Sequence, residues 1–85
     1  MKTRAEVTAL ISTALLEIIP DLSKGQLSYD DAFIELGANS VDRGELITLT
    51  IERLELDASL IEFAMAYSIN SLADLVMAKM GQAVS

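Results

Sequence analysis

The sequence predicts an all-α fold: a small four-helix bundle with a long loop between helices one and two and a short third helix. Three observations predict it. Apolar residues recur at helical spacing in several separate stretches. Helix-starting chemistry stands at the head of these stretches, and no run alternates in the manner of a strand. The chain has 85 residues, 52% of them hydrophobic, which suits one domain and is too short for two. Residues 1–85 are therefore read as a single domain, with a tail that frays from about residue 81.

The first helix is announced by Thr3 and Glu6, the T-x-x-E of a capping box. Val7, Leu10, Ile11, Ala14, Leu15 and Ile18 follow at helical spacing. Pro20 stops the run by biasing Ile19 away from the α region. Residues 20–38 read as a long connection containing Asp21, Ser23, Gly25, Ser28, Asp30 and Gly37. Leu22, Leu27, Phe33, Ile34 and Leu36 are its candidate anchors on the core, since a loop of this length is normally anchored or functional.

A second helix starts near Asn39 or Ser40 and runs to about Leu54. Leu46, Ile47, Thr50, Ile51 and Leu54 share one face and make the buried stripe. Val41, Glu45, Thr48 and Glu52 fall opposite. Leu46–Ile51 has a strand-like composition, but its periodicity and flanking caps favour a helix. A short helix is expected from roughly Ser59 to Ala66, capped at Asp57 or Ser59, with Tyr67-Ser68-Ile69-Asn70 as its break. Ser71 and Asp74 open a last helix bearing Leu72, Leu75, Val76 and Met80 on one face, and Gly81 ends it.

Composition excludes several functions. There is no Cys and no His, so thiol nucleophiles, disulfides and the commonest zinc ligands are missing. The usual acid–base residue near neutral pH is missing too. No metal site is expected. With few aromatics (Tyr29, Phe33, Phe63 and Tyr67) the core must be aliphatic, and the four methionines read as core filler. No apolar run is long enough to span a membrane, and the charged Met1-Lys2-Thr3-Arg4 is followed by an amphipathic run and not a signal-peptide core. The chain is read as cytoplasmic and monomeric. Between Asp30 and Glu62 nine acids face two bases, Arg43 and Arg53, so this stretch carries the whole net charge of −7. Such a surface repels nucleic acid and attracts proteins with basic patches, although acids also serve simply to keep a small domain soluble.

The informative segment is Leu36-Gly37-Ala38-Asn39-Ser40-Val41-Asp42-Arg43. Gly37 permits a backbone conformation closed to other residues. Asn39 is a good N-cap. If it caps, Ser40 is the first helical residue and its hydroxyl is spare, beside free amides and the positive end of the helix dipole, where a phosphate ester is favoured. Alternatively Ser40 is itself the cap. Arg43 opposes the dipole by roughly 0.3–1 kcal/mol. Its role is either pairing with an acid such as Glu35 or contacting a partner.

L-G-x-[DN]-S-[LIV] opening an acidic helix midway along a short helical chain resembles the acyl carrier protein family. The resemblance extends from the first helix to Ile69-Asn70-Ser71-Leu72. It implies the four-helix fold of that family and a covalent 4′-phosphopantetheine, donated by coenzyme A, at Ser40. It implies a carrier and not an enzyme: a protein-bound substrate holding an acyl group as a thioester. Most members have Asp where this chain has Asn39, a swap that keeps the cap and loses a charge. Asn39-Ser40-Val41-Asp42-Arg43 is similar to the free-standing donor carriers of polyketide β-branching cassettes, which deliver acetyl to an enzyme resembling hydroxymethylglutaryl-CoA synthase. That similarity implies, as further partners, a phosphopantetheinyl transferase, an acyltransferase and a ketosynthase-like decarboxylase. It also makes Asn39, Val41, Asp42, Arg43, Glu45 and Thr48 a docking surface. Other readings are an ordinary polyketide, fatty-acid or aminoacyl carrier, or an unmodified acidic helical interaction domain.

Overall fold

The computed structural model describes residues 2–22 and 27–84. Three α-helices form: α1 (Arg4–Ile18), α2 (Ser40–Leu54) and α3 (Ile69–Val84). The expected short third helix is instead a single four-residue 3-10 turn, Leu60–Phe63. α1 packs against both α2 and α3, and the 3-10 turn packs on α2 and α3. The expected four-helix bundle is thus three helices closed by one tight turn.

α1 starts as its sequence dictates. Thr3 Oγ1 accepts from the Glu6 N–H, and Glu6 Oε1 accepts from the Thr3 N–H at 3.0 Å. Its buried stripe is Val7, Ile11, Ala14 and Leu15, while Leu10 and Ile18 are only half-buried. Thr8, Ser12 and Thr50 are buried as well. Each returns its hydroxyl to a carbonyl of its own helix, so no polar group is stranded. Among the described residues every buried side-chain nitrogen and oxygen has a partner.

α2 buries Leu46, Ile47 and Thr50, with Ile51 and Leu54 half-buried beside them, as the wheel predicts. It ends at Glu55, whose left-handed φ of 53° lets the Leu56 N–H reach the Ile51 carbonyl at 3.0 Å.

The replacement of the third helix has a physical cause. Phe63 at the end of the turn and Ala66 beyond it are buried, while Ile61 and Met65 are exposed. The Ser59 N–H donates to Glu62 Oε2 at 2.8 Å, and Lys79 Nζ lies 2.9 Å from Glu62 Oε1. Met65, 85% exposed, is not core filler; Met77 and Met80 are half-buried against the core, and Met1 lies outside the described residues.

α3 begins two residues before the expected Ser71. Ser68 is the cap: its Oγ accepts from the Ser71 N–H at 3.0 Å and its carbonyl from the Leu72 N–H at 2.9 Å. This start admits Ile69 to the buried stripe of Leu72, Ala73 and Val76. Gly81 does not end the helix, whose backbone continues to Val84.

The described part of the connection before α2 is folded. Phe33 is 2% exposed, and Leu22, Leu27 and Leu36 pack on the core. Ile34, expected as an anchor, is 77% exposed instead. Ser23 and Gly25 of this connection lie outside the described residues. The Phe33 N–H donates to the Tyr67 carbonyl at 2.7 Å within an isolated antiparallel bridge between Ala32 and Ser68. Successive turns through Glu35, Leu36 and Gly37 then bring the Ala38 N–H onto the Phe33 carbonyl at 2.9 Å. Gly37 has φ 97°, the conformation anticipated for it.

Glu62 makes the 3-10 turn acid-sensitive. The bond from Lys79, then the Ser59 N–H, holds its carboxyl below the usual glutamate range. A lowered folded pKa means that the stabilisation is complete above the ordinary value and is lost as pH falls through the folded one. In an acid titration followed by amide NMR, Leu60–Phe63 are expected to loosen in that window, and Glu62→Gln to remove the transition. Superimposable wild-type and variant profiles contradict this.

Candidate functional site

The site is the first turn of α2 and the folded connection that leads into it. Asn39 is extended, with φ −84° and ψ −175°, and caps the helix: its Oδ1 accepts from the Asp42 N–H at 2.8 Å. Asp42 Oδ2 accepts in return from the Asn39 N–H at 3.2 Å. This reciprocal pair is a capping box built from Asn and Asp, in the spacing already seen at Thr3 and Glu6. Sequence reasoning found the cap but not Asp42's half of it, although N-x-x-D carried the signal.

Because Asn39 caps, Ser40 is the first helical residue. It is exposed, and its hydroxyl makes no hydrogen bond to a described residue. Nor do the backbone amides of Ser40 and Val41 find a partner among the described residues. Two free amides, the helix dipole and a free hydroxyl therefore meet at one exposed point.

The remaining candidate residues divide between two sides of the helix. Val41, Glu45 and Thr48 are exposed and follow one another at helical spacing, with Glu52 continuing the strip. Val41 is 77% exposed, an apolar side chain next to the serine. Arg43 lies on the connection side, half-buried, and makes no ion pair among the described residues; Glu35 does not pair with it. The other α2 cation, Arg53, is engaged by Glu17 through two bonds of 2.6 and 2.8 Å. Arg43 borders a shallow recess of about 150 Å³, which Phe33, Ile34, Ala38, Ser40 and Tyr67 also line.

The structure adds apolar residues that the sequence reading missed. Leu60 of the 3-10 turn sits over Gly44, where a Cβ would lie 3.9 Å from Leu60 Cδ1. Gly44 is one turn beyond Ser40, so the 3-10 turn abuts the site. Leu60, Ile61 and Met65 are all exposed there.

No family model matches the sequence. The polyketide biosynthesis acyl-carrier-protein AcpK of Bacillus subtilis (strain 168) is 32% identical over 80 residues, covering 94% of this chain and 98% of the relative. The chain belongs to the acyl carrier protein family. A chain in the crystal structure of the curacin biosynthetic pathway HMG synthase in complex with acetyl donor-ACP superposes on this carrier with a TM-score of 0.83. The two are 36% identical, with 91% of this carrier and 99% of that chain covered. The likeness to β-branching carriers read from Asn39–Arg43 is therefore matched over nearly the whole length.

Asn39→Ala removes the side-chain half of the cap and is expected to cost the carrier about 0.5–2 kcal/mol in urea unfolding. Asn39→Asp keeps the acceptor oxygen and is expected to stay within about 0.5 kcal/mol of wild type. A loss on Asn39→Asp as large as that on Asn39→Ala contradicts the capping geometry described for α2.

Proposed function

We propose that this protein is the donor carrier of a polyketide β-branching cassette, holding acetyl on a 4′-phosphopantetheine arm at Ser40 for an enzyme resembling hydroxymethylglutaryl-CoA synthase. The observation that carries the reading is Ser40 itself: a free, exposed hydroxyl on the first residue of α2, inside Asn39-Ser40-Val41-Asp42-Arg43. The likeness to a chain crystallised as acetyl donor-ACP with an HMG synthase supports the cassette assignment.

The residues present fit the arm. The free amides of Ser40 and Val41 and the dipole of α2 favour a phosphate on the serine oxygen, and Arg43 adds a positive charge that no described acid engages. The arm supplies the thiol that this cysteine-free chain lacks, and the acyl group rides on it as a thioester. The protein's own part is to hold the attachment point still and to present a surface. It acts as a substrate for its partners and performs no catalysis. A phosphopantetheinyl transferase installs the arm, an acyltransferase and a ketosynthase-like decarboxylase prepare the acetyl group, and the synthase-like enzyme takes it. All of this proceeds in the cytoplasm.

Recognition uses the first turns of α2. Val41 offers a small apolar contact, and Glu45, Thr48 and Glu52 extend an acidic strip that speeds encounter with a basic partner. Leu60, Ile61 and Met65 widen the apolar part. Arg43, on the connection side beside Ser40, adds a cation next to this acidic strip, a mismatch that selects the synthase-like enzyme against partners built for all-acidic carriers.

Intact mass after incubation with coenzyme A and a transferase is expected to rise by one phosphopantetheine in wild type and not in Ser40→Ala, whose helical spectrum stays unchanged. A mass gain in the Ala variant refutes the assignment of Ser40. With the loaded carrier, Arg43→Glu is expected to weaken the synthase-like enzyme strongly and the transferase less. Glu45→Lys is expected to slow association with both, and less so at high salt.

A further inference from the structure

We propose that the recess beside Ser40 seats the base of the carrier's own arm. Arg43 pairs with the phosphodiester, and Phe33, Ile34, Ala38 and Tyr67 receive the dimethyl-bearing carbon that follows it. The inference rests on the reading that Ser40 carries the arm.

Four observations converge on this seat. Ser40 is on the rim, so whatever is esterified to its oxygen begins at the recess. A tether makes even a weak contact populated, because the contact is intramolecular. Arg43 is three residues along α2, close to Ser40 on the helix surface, and has no ion pair among the described residues. The neighbouring carboxylate, Asp42, already accepts from the Asn39 N–H. A guanidinium so placed matches a phosphodiester in charge and in its forked geometry.

The walls are apolar and partly bare. Phe33 and Ala38 are buried, yet Ile34 is 77% and Tyr67 59% exposed at the same recess. Two large apolar side chains facing solvent beside a covalent attachment point offer a surface for a branched apolar group to cover. The walls are also fixed in advance. The Phe33 N–H bond to the Tyr67 carbonyl and the Ala38 N–H bond to the Phe33 carbonyl join three of the five lining apolar residues. Little ordering is needed when the arm settles.

Size limits what is held. About 150 Å³ takes a branched cluster of a few carbons and not a long acyl chain. The seat therefore grips the start of the arm and leaves its two amides, thiol and acyl group outside, directed from the connection side of α2. Val41, Glu45 and Thr48 stay clear on another side of the helix for the partner.

The test uses the full-length carrier, with the arm installed from coenzyme A carrying carbon-13 in its two pantoyl methyls. Intact mass comes first: no gain in mass refutes the carrier reading and the seat with it. In the loaded protein, NMR is expected to show nuclear Overhauser contacts from these methyls to the Tyr67 ring and the Ile34 methyls. Arg43→Gln is expected to weaken the remaining contacts about two- to fivefold, the range for an exposed ion pair, and Ile34→Ser, at a largely exposed position, to weaken them as well. Their amide spectra without the arm stay close to wild type. A loaded protein with no such contacts, or contacts untouched by both variants, overturns the seat while leaving Ser40 as the attachment point.

Discussion

Phe33 turns the long connection into part of the core, and the placement of Ser40 follows from it. Its ring is buried, worth about 1.5–3 kcal/mol relative to an exposed ring. Its N–H and carbonyl are both spoken for, one by Tyr67 at the approach to α3 and the other by Ala38 just before α2. One residue thus ties the connection to two helices. From there only Gly37's left-handed turn and the Asn39–Asp42 capping box are needed to set the first residue of α2. On the proposed function, an arm attached at Ser40 would search for its partners from one fixed point.

The same region separates two kinds of surface. The acids of α2 that face outward make few bonds of their own: Glu45 and Glu52 form no ion pair among the described residues, whereas Glu17 and Glu62 are paired with Arg53 and Lys79. The ion pairs join separate elements, while the outward acids of α2 stay unpaired among the described residues. Such free charge contributes little to folding and much to encounter with a partner. The exposed Val41, Ile61 and Met65 are likewise of little use to the isolated fold. On the proposed function they are area for a partner to cover.

Much of this was legible in the sequence, for local reasons. Thr3 with Glu6, Pro20, Gly37 and Asn39 each act within a few residues, and each is found doing what its chemistry dictates. The outward strip of Val41, Glu45, Thr48 and Glu52 followed from helical spacing alone. What was not legible depended on tertiary pairing. Ser68 caps α3 because it is already held beside Ala32, which no local pattern encodes, and that bridge moves the helix start ahead of Ser71. The 3-10 turn packs on α2 and α3, and those tertiary contacts shorten the helix expected from Ser59 to Ala66. Gly81 lacks the C-capping role because α3 simply runs past it. Ile34 reads as an anchor by its type, but Phe33 takes the core position and turns its neighbour outward.

The proposed function is acetyl donation to one kind of synthase-like enzyme through the first turns of α2. Its most direct measurement is acetyl transfer to the purified synthase-like enzyme from this carrier and from an ordinary polyketide carrier, each loaded to the same extent and mixed in competition. Acetyl is expected to leave this carrier in clear preference. Equal transfer from the two contradicts it and leaves only membership of the family.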